Sequence, residues 1–542
     1  MTRLFILLLV LLFAELLPAQ VWQWSVPVRE ARNKDATAFL WIPENCMAVR
    51  GIVVAQNNME ELSILEHPLF RKDMADLGFA EVWVSPAFDL QFRFNEGAGN
   101  MFNNMMHDLA DSSGYSELNF APVVGIGHSA AASWPYYFGA WNPQRTLACI
   151  SVSGQWPYVR SPQFSPDIWN KDQNIDFIPS LETMGEYEAA NTWSSEGLKE
   201  RVENPLMPLS MLACPAEGHF ATTDKKIVYL ALYLKKAAHY RIEKNVTTTG
   251  PAVLKPIDPT NTGWLADKWR LNGKPTAPAA PVGQYTGDPK QAFWYFDEEM
   301  AKATEEYGAA YQNQKVALLG YEQDEVVVPQ KNTHLQAEMN FRPLADGITF
   351  HLKGTFLDTV PGASKRTSDW TGLPSESPIG HPKNEQPISI DKVIGPFKKI
   401  NDTTFQLQYE KGMRTDPKNL LFTFIATHPG DDVYKPAVQQ GEMMAPEKNK
   451  EGDEQVISFP AIPSQNNKAK HIALKATSSA GIPVYYYVKS GPATLENNTL
   501  MLTKIPPRSK FPVKVTVVAW QYGIAGKIKT AEPIEQNFYI SK

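Results

Sequence analysis

Cysteine is scarce in this chain: the 542 residues contain three, Cys46, Cys149 and Cys214. Three cysteines cannot build the disulfide framework that holds many small secreted domains together, and they leave room for one bridge at most. Cys149 and Cys214 lie inside apolar, strand-like runs. This setting predicts buried thiols that contribute to packing rather than to chemistry.

Motifs for metals, cofactors and nucleic acids are missing as well. The sequence has no His-Glu-x-x-His pair, no cluster of Cys and His, no Asp-rich calcium loop and no Gly-rich phosphate loop. We therefore expect neither a metal site nor a bound cofactor. The formal net charge is −6 and no basic stripe is present, which argues against nucleic acid as a partner.

Long apolar runs are confined to the N-terminus. Arg3 supplies a positive start, Leu4 to Leu17 form an apolar run interrupted by Glu15, and 18–20 offer a cleavage region. This pattern is typical of an export signal, and the run is short for a membrane span. We expect an exported, periplasmic, cell-surface or extracellular protein without a membrane span in the mature chain. The alternative is an uncleaved N-terminal anchor.

The length of the chain predicts several domains, because a single core rarely grows this large. Between about residues 36 and 245, short apolar runs alternate with helical segments, which favours a largely parallel sheet covered by helices on both faces. From Gln336 the pattern changes to period two, as in a β-sandwich. The predicted divisions are a signal at 1–20, an α/β domain at 21–249, a proline-rich linker and helical wrapping segment at 250–335, and β domains at 336–465 and 466–542.

One stretch of the α/β region combines a strand, a sharp turn and a small-residue segment. The apolar run 121–126 leads directly into Gly127-His128-Ser129-Ala130-Ala131. A serine in such a turn adopts a strained backbone conformation, so only small residues fit two positions before and after it. The pattern favours Ser129 as an exposed nucleophile, with Ala131 standing where a second glycine is usual.

Two more polar turns follow at the ends of later apolar runs. The first carries Glu186 and Glu188 after Gly185, and the second carries His219 after Gly218. Since the carboxyl ends of parallel strands meet at one edge of a sheet, these turns are expected to lie beside Ser129. A serine needs an adjacent base, and His219 has the most suitable position for one.

This order of serine, acid and histidine on strand ends resembles an α/β-hydrolase-fold serine esterase of the exported bacterial type. The resemblance covers roughly residues 36 to 245. It implies a Ser129–His219–acid triad, with Glu188 favoured over Glu186 as the orienting carboxylate. It also implies an oxyanion hole formed by the backbone N–H of Ala130 and by the turn at Asn57, Asn58 or Met59.

Other aromatic and β-rich segments bear on the substrate. Trp134, Trp156 and Trp193 flank the predicted catalytic turns and could line a pocket for a sugar ring, or they could be core residues. The stretch Tyr485 to Ala493 resembles the immunoglobulin-like modules of exported carbohydrate-active proteins. The charged segment Lys448 to Glu454 is expected to be a solvated linker at which the chain can be cut without loss of folding or of activity.

The sequence thus predicts a secreted serine esterase that acts on a small ester or an ester-decorated glycan. A serine peptidase would use the same triad. A third interpretation is a glycan-binding or adhesive protein with an inactive hydrolase domain, and the intact serine, acid and histidine turns count against it.

Overall fold

The structure is a computed structural model that describes residues 21–158, 174–243, 249–333, 336–414 and 418–542. The predicted export signal at 1–20 lies outside these ranges. Within them, no helix has both the length and the apolar character needed to cross a membrane. The three cysteines are buried free thiols.

An eight-stranded sheet organises the N-terminal part of the chain. Its strands are β1 (Trp24–Pro27), β2 (Thr37–Trp41), β3 (Gly51–Gln56), β4 (Phe79–Ser85), β5 (Val123–His128), β6 (Thr146–Val152), β7 (Ser180–Gly185) and β8 (Leu209–Cys214). The order across the sheet is β1-β2-β4-β3-β5-β6-β7-β8. Strands β3 to β8 run parallel, while β1 and β2 are antiparallel to their neighbours. This is an α/β-hydrolase sheet, so the predicted fold class is confirmed.

Helices cover both faces of this sheet. They are α1 (Glu61–Leu65), α2 (Pro68–Leu77), α3 (Ala98–Ser113), α4 (Trp134–Trp141), α5 (Ala190–Glu203) and α6 (Asp224–Arg241). Strand β3 is buried along its whole length, and its side chains alternate between two apolar cores. Val53 and Ala55 pack in the core that includes α6, whereas Ile52 and Val54 pack in the core that includes α3. Burial on both faces explains why the strand is apolar throughout.

The segment at 250–335, predicted as a proline-rich linker and helical wrapping segment, contributes residues to the core of the α/β domain. It contains β9 (Trp264–Asp267), β10 (Ala280–Pro281), β11 (Ala292–Tyr295) and α7 (Glu298–Gly308). Trp294 and Tyr295 are each 1% exposed, and Tyr295 Oη donates a 2.6 Å hydrogen bond to the carbonyl of Met211 on β8. This region therefore forms a packed layer beside β8, the last strand of the sheet.

A β domain follows, and its core begins before residue 336. Its elements are β12 (Leu319–Gln323), β13 (Val326–Val327), β14 (Ala337–Asn340), β15 (Thr349–His351), β16 (Lys353–Phe356), α8 (Lys365–Thr371), β17 (Ser389–Ile394), β18 (Phe397–Asn401), β19 (Thr404–Leu407), β20 (Asn419–His428) and β21 (Ala437–Pro446). They form a four-stranded sheet β14-β21-β20-β17 and two three-stranded sheets, β15-β19-β18 and β13-β12-β16. Leu319 and Tyr321 pack in the same core as Phe350 and Phe422, so β12 belongs to this domain.

The remaining strands make a smaller terminal module. They are β22 (Ile457–Ser458), β23 (Gln465–Asn466), β24 (His471–Ala473), β25 (Thr477–Ser478), β26 (Tyr485–Ser490), β27 (Ala493–Glu496), β28 (Thr499–Leu502), β29 (Val513–Trp520) and β30 (Ile534–Ser541). The largest sheet has the order β23-β30-β29-β26. The predicted C-terminal β domains are therefore present, and their immunoglobulin-like type remains a prediction.

The segment at 448–454 is largely exposed, as predicted for a solvated linker, but the terminal module that follows it is not independent. The module has a core of its own and also contributes residues to the core of the preceding domain. Trp520 and Tyr522 belong to the core of the β12–β21 domain, and Tyr409 stacks on Trp520 with 4.5 Å between ring centroids. Asn449 Nδ2 donates to the carbonyl of Tyr522 at 3.0 Å, and Asp453 N donates to that of Lys527 at 2.8 Å. A cut at this segment would remove part of the neighbouring core.

Replacing Trp520 tests this shared core. Trp520 is 0% exposed, so Trp520→Ala leaves a large cavity and should lower the free energy of unfolding by about 3–5 kcal/mol. Tyr539 lies on the same module and is 45% exposed, so Tyr539→Ala should change that free energy by about 0.5 kcal/mol or less. Urea denaturation followed by tryptophan and tyrosine fluorescence gives both values. Equal effects of the two substitutions would contradict a shared core.

Candidate active site

Ser129 occupies a strained turn between β5 and α4. Its φ angle is +54°, a left-handed conformation that is uncommon for residues other than glycine. Ser129 and the two residues after it make one turn of 3₁₀ helix, Ser129–Ala131, and the carbonyl of Ala131 lies close to Gly127. A Cβ at Gly127 would lie 2.0 Å from that oxygen, so no larger residue fits there. The small residues of the motif are therefore a steric requirement of the turn.

The structure brings Ser129, His219 and Glu188 together. His219 Nε2 lies 3.0 Å from Ser129 Oγ, and His219 Nδ1 is paired with Glu188 Oε1. Burial pushes the pKa of Glu188 upward, but the adjacent His219 outweighs that effect, and the pKa is lowered overall. Glu188 is therefore an ionised acceptor that fixes the orientation of the imidazole.

Glu186 has a different set of partners. Its Oε1 forms an ion pair with Lys435 of the β12–β21 domain, and its Oε2 accepts the backbone N–H of Ala216 at 2.9 Å. These contacts leave Glu188 as the carboxylate that meets His219. Glu186 joins its own turn to the histidine turn and to the β domain.

The predicted oxyanion donors divide into backbone and side-chain groups. Ala130 is the second residue of the 3₁₀ turn, where a helix leaves N–H groups without internal acceptors. In the turn after β3, the backbone N–H of Asn57 donates to Val84 at 2.8 Å, and those of Asn58 and Met59 donate to Glu61 Oε2 at 2.8 Å each. All three backbone donors of this turn are thus directed into the protein.

The side-chain amide of Asn58 lies close to the elbow. Asn58 Nδ2 donates to the carbonyl of His128 at 3.0 Å, which places the amide beside Ser129. Asn57 Oδ1 accepts the indole N–H of Trp83 at 3.2 Å. Since an indole nitrogen can only donate, this contact fixes the amide with Nδ2 on the opposite side. Of the donors of this turn, the side-chain amide of Asn58 is therefore the one that the structure shows beside Ser129.

Glu61 is a buried clamp that the sequence reasoning missed. Its Oε2 accepts from the turn after β3, and its Oε1 accepts the backbone N–H of His128 at 2.8 Å. Burial raises the pKa of Glu61 to about 7, against the opposing effect of these N–H donors. One carboxylate thus joins the candidate oxyanion turn to the residue before the nucleophile. The available signal was the pair of consecutive acids, Glu60 and Glu61, in the short segment after an apolar strand.

His128 makes a second link beneath the triad. Its Nε2 lies 2.9 Å from the carbonyl oxygen of His219, and because a carbonyl can only accept, Nε2 carries the proton. The same nitrogen is 3.6 Å from Glu60 Oε2, and Glu60 Oε1 accepts from Thr222 at 3.1 Å. The elbow and the histidine turn are therefore connected through a fully buried imidazole.

Two of the three predicted substrate-stacking tryptophans are core residues. Trp134 is 1% exposed and donates to the carbonyl of Ile126 at 2.9 Å. Trp156 is 0% exposed, donates to Trp193 at 2.9 Å and stacks on Phe293. Side chains enclosed in this way have no face left for a sugar ring, so the pocket prediction is wrong for both. Trp193 is partly buried and packs against Trp156 at 6.4 Å.

Within the described ranges, no group of three or more His, Cys, Asp or Glu residues is arranged to hold a metal ion.

No protein-family model and no curated protein matches the chain.

Several solved structures resemble part of it. A dienelactone hydrolase from Anabaena variabilis has 15% sequence identity and a TM-score of 0.28, covering 41% of this chain and 97% of its own. An S-formylglutathione hydrolase from Agrobacterium tumefaciens has 13% identity and a TM-score of 0.30, covering 40% and 93%. The poly(3-hydroxybutyrate) depolymerase LpqC from Bordetella parapertussis has 12% identity and a TM-score of 0.28, covering 40% and 89%. Similarities at this level support no statement about activity.

The clamp at Glu61 can be tested by Glu61→Gln. An amide presents one oxygen where the carboxylate presents two, so one set of backbone N–H donors should lose its acceptor, at a cost of about 1–3 kcal/mol in unfolding free energy near pH 8. Urea denaturation of both proteins measures this difference. The exposed acid Glu96, changed to Gln, is the control and should have little effect.

The same pair of proteins should differ in pH dependence. The pKa of Glu61 in the folded protein is about 7, above its ordinary value of 4.5. As the pH is lowered, the folded state therefore binds this proton before the unfolded state does. Wild type should gain stability relative to Glu61→Gln as the pH falls from about 7 to 4.5, with a slope of at most about 1.4 kcal/mol per pH unit. A stability difference that is constant over this range would contradict the raised pKa.

Proposed function

We propose that this protein is an exported serine hydrolase that removes ester groups from a polysaccharide through an acyl-enzyme intermediate. The observation that carries the proposal is the continuous contact from Ser129 Oγ to His219 and on to the Glu188 carboxylate. A serine hydroxyl is a weak nucleophile until a neighbouring base can take its proton. Here the base is in place, and a carboxylate holds its ring.

In the proposed reaction, Ser129 Oγ attacks the ester carbonyl carbon while His219 Nε2 accepts the hydroxyl proton. Glu188 stabilises the imidazolium that forms. The tetrahedral oxyanion accepts hydrogen bonds from Ala130 N–H and from the side-chain amide of Asn57 or Asn58. The intermediate then expels the alcohol, which takes the proton from His219. Attack by water on the acyl-enzyme, with the same proton transfers, releases the acid and restores Ser129.

The polysaccharide part of the proposal has separate support. It rests on the export-signal pattern at residues 1–20 and on the resemblance of the terminal module to those of exported carbohydrate-active proteins. A serine peptidase would use the same groups and is the alternative enzyme class. A non-catalytic glycan-binding role has less support, because the serine, imidazole and carboxylate are in contact.

Ser129→Ala should abolish ester hydrolysis and leave the fold intact, because the change removes one oxygen. A p-nitrophenyl acetate assay measures turnover, and mass spectrometry after treatment with a fluorophosphonate locates the labelled serine. We expect a label on Ser129 in wild type. Labelling of a different serine, or turnover in the variant equal to that of wild type, would refute this nucleophile.

The two acids of the turn after β7 make a matched pair. Glu188→Gln should lower kcat by roughly 10²- to 10⁴-fold, because it removes the charge that orients and stabilises the imidazolium. Glu186→Gln should lower kcat much less, since Glu186 faces Lys435. His219→Ala should cost about as much as Ser129→Ala. A larger loss from Glu186→Gln than from Glu188→Gln would reverse the assignment.

A substrate panel separates the proposed classes. Acetylated xylan, pectin, p-nitrophenyl acyl esters and peptide arylamides should each be offered to wild type and to Ser129→Ala. Release of acetate or methanol from a polymer by wild type alone would support the glycan esterase. Cleavage confined to arylamides would favour the peptidase, and binding of polymer without any cleavage would favour the non-catalytic role.

A further inference from the structure

The four-stranded sheet of the β12–β21 domain lies directly against the candidate catalytic turns. Its strand β21 follows Lys435 and Pro436, which contact the acid turn: Lys435 pairs with Glu186, and Tyr187 Oη donates to the carbonyl of Pro436 at 3.2 Å. Further along β21, Gln440 Oε1 accepts the backbone N–H of Phe220 at 3.2 Å. Strand β21 and the two residues before it therefore contact both catalytic turns, the acid turn just before Glu188 and the histidine turn just after His219.

The contact from Gln440 reaches the residue next to the catalytic base. Phe220 directly follows His219 in the chain, and Gly218 directly precedes His219. A Cβ added at Gly218 would lie 3.4 Å from both Gln440 Oε1 and Val438 Cγ2. The histidine turn is thus packed against β21 on both sides of the imidazole. The contact from Gln440 therefore adds an anchor from the β domain to those that His128 and Glu188 already make with His219.

Gln440 is itself held in place by its neighbours. It is 3% exposed, and its backbone carbonyl accepts from Gln439 Nε2 at 2.8 Å. Gln439 is also held, because its Oε1 accepts from Gln330 at 2.9 Å and its Nε2 donates to Gln336 at 3.1 Å. These buried amides hold the backbone of β21 at Gln440 in place. The side-chain oxygen offered to Phe220 therefore extends from a backbone position that the β domain fixes.

The acid turn has a comparable attachment. Lys435 is buried, with 4% of its side chain exposed, and its partner Glu186 lies two residues before Glu188. Glu186 also accepts from the backbone of Ala216 in the histidine turn. The ion pair therefore connects the segment just before β21, the acid turn and the histidine turn in a single group of contacts.

We propose that strand β21 completes the catalytic centre from outside the hydrolase domain, with Gln440 as a positioning residue that acts through Phe220 on His219. This inference rests on the proposed function, since it concerns the same triad. The β domain then sets the distance between Ser129 and His219 rather than serving only as a binding module. A displacement of about 1 Å at such a site can cost on the order of 10²-fold in rate.

The test compares three changes at Gln440 with a control glutamine. Gln440→Met keeps the size and removes the amide acceptor, Gln440→Asn draws the oxygen back by one methylene, and Gln440→Glu restores an acceptor oxygen. Gln455 is also buried, at 6% exposure, but its amide donates to Lys529 in the terminal module. Gln455→Met is therefore the matched control for losing a buried amide.

We expect Gln440→Met and Gln440→Asn to lower kcat on p-nitrophenyl acetate by about 10- to 100-fold, with KM within about twofold of wild type. The rate of fluorophosphonate labelling at Ser129 should fall in parallel, and Gln440→Glu should recover most of the loss. Gln455→Met should leave kcat unchanged. Hydrogen–deuterium exchange at the Phe220 amide should speed up in the Met and Asn variants and stay slow in the control.

Several results would overturn the inference. A folded Gln440→Met or Gln440→Asn with wild-type kcat would do so, and so would an equal loss in Gln455→Met. If Gln440→Met does not fold, Gln440→Asn decides by the same criteria. Failure of the proposed function would look different: wild type itself would show neither turnover nor labelling, while the exchange at Phe220 would still report whether Gln440 holds the turn.

Discussion

The backbone strain at Ser129 is the constraint on which the candidate site depends. A residue held at a φ of +54° persists only where the surroundings fix it, and here the surroundings are unusually close. The carbonyl of Ala131 fills the space where Gly127 would carry a side chain. Glu61 holds the backbone of His128, the residue before the serine, by a hydrogen bond. The turn is therefore fixed from both of its ends.

Buried polar groups then connect this turn to the others. Glu61 joins it to the turn after β3, and the imidazole of His128 joins it to the carbonyl of His219. Such groups are costly to bury unless they are hydrogen-bonded. The need to keep these hydrogen bonds therefore fixes the relative positions of the turns that they connect. This explains how three loops that are far apart in the chain hold atoms within 3.0 Å of one another.

The β domains are joined to the eight-stranded sheet domain and to each other by buried contacts and by backbone hydrogen bonds. Lys435 and Gln440 contact the acid and histidine turns, while Trp520 packs into the core of the β12–β21 domain. The backbone of Trp22, at the start of the hydrolase domain, pairs with Gly491 of the terminal module. The domains therefore stabilise one another through contacts that the hydrophobic periodicity of each segment does not predict.

The sequence by itself determined the local features. The apolar runs of β3 to β8 specify buried parallel strands, and the small residues around Ser129 specify a sharp turn; both follow from sterics and burial within a few residues. The order of serine, acid and histidine turns could also be read directly. Tertiary structure decided which groups meet across long separations: Glu188 rather than Glu186 at His219, backbone donors directed toward Glu61, and Trp134 and Trp156 enclosed in the core. It also decided that the segments at 250–335 and 448–454 pack against other parts of the chain. Residue type and spacing cannot give these outcomes, because they depend on which side chains the fold places within hydrogen-bond or packing distance.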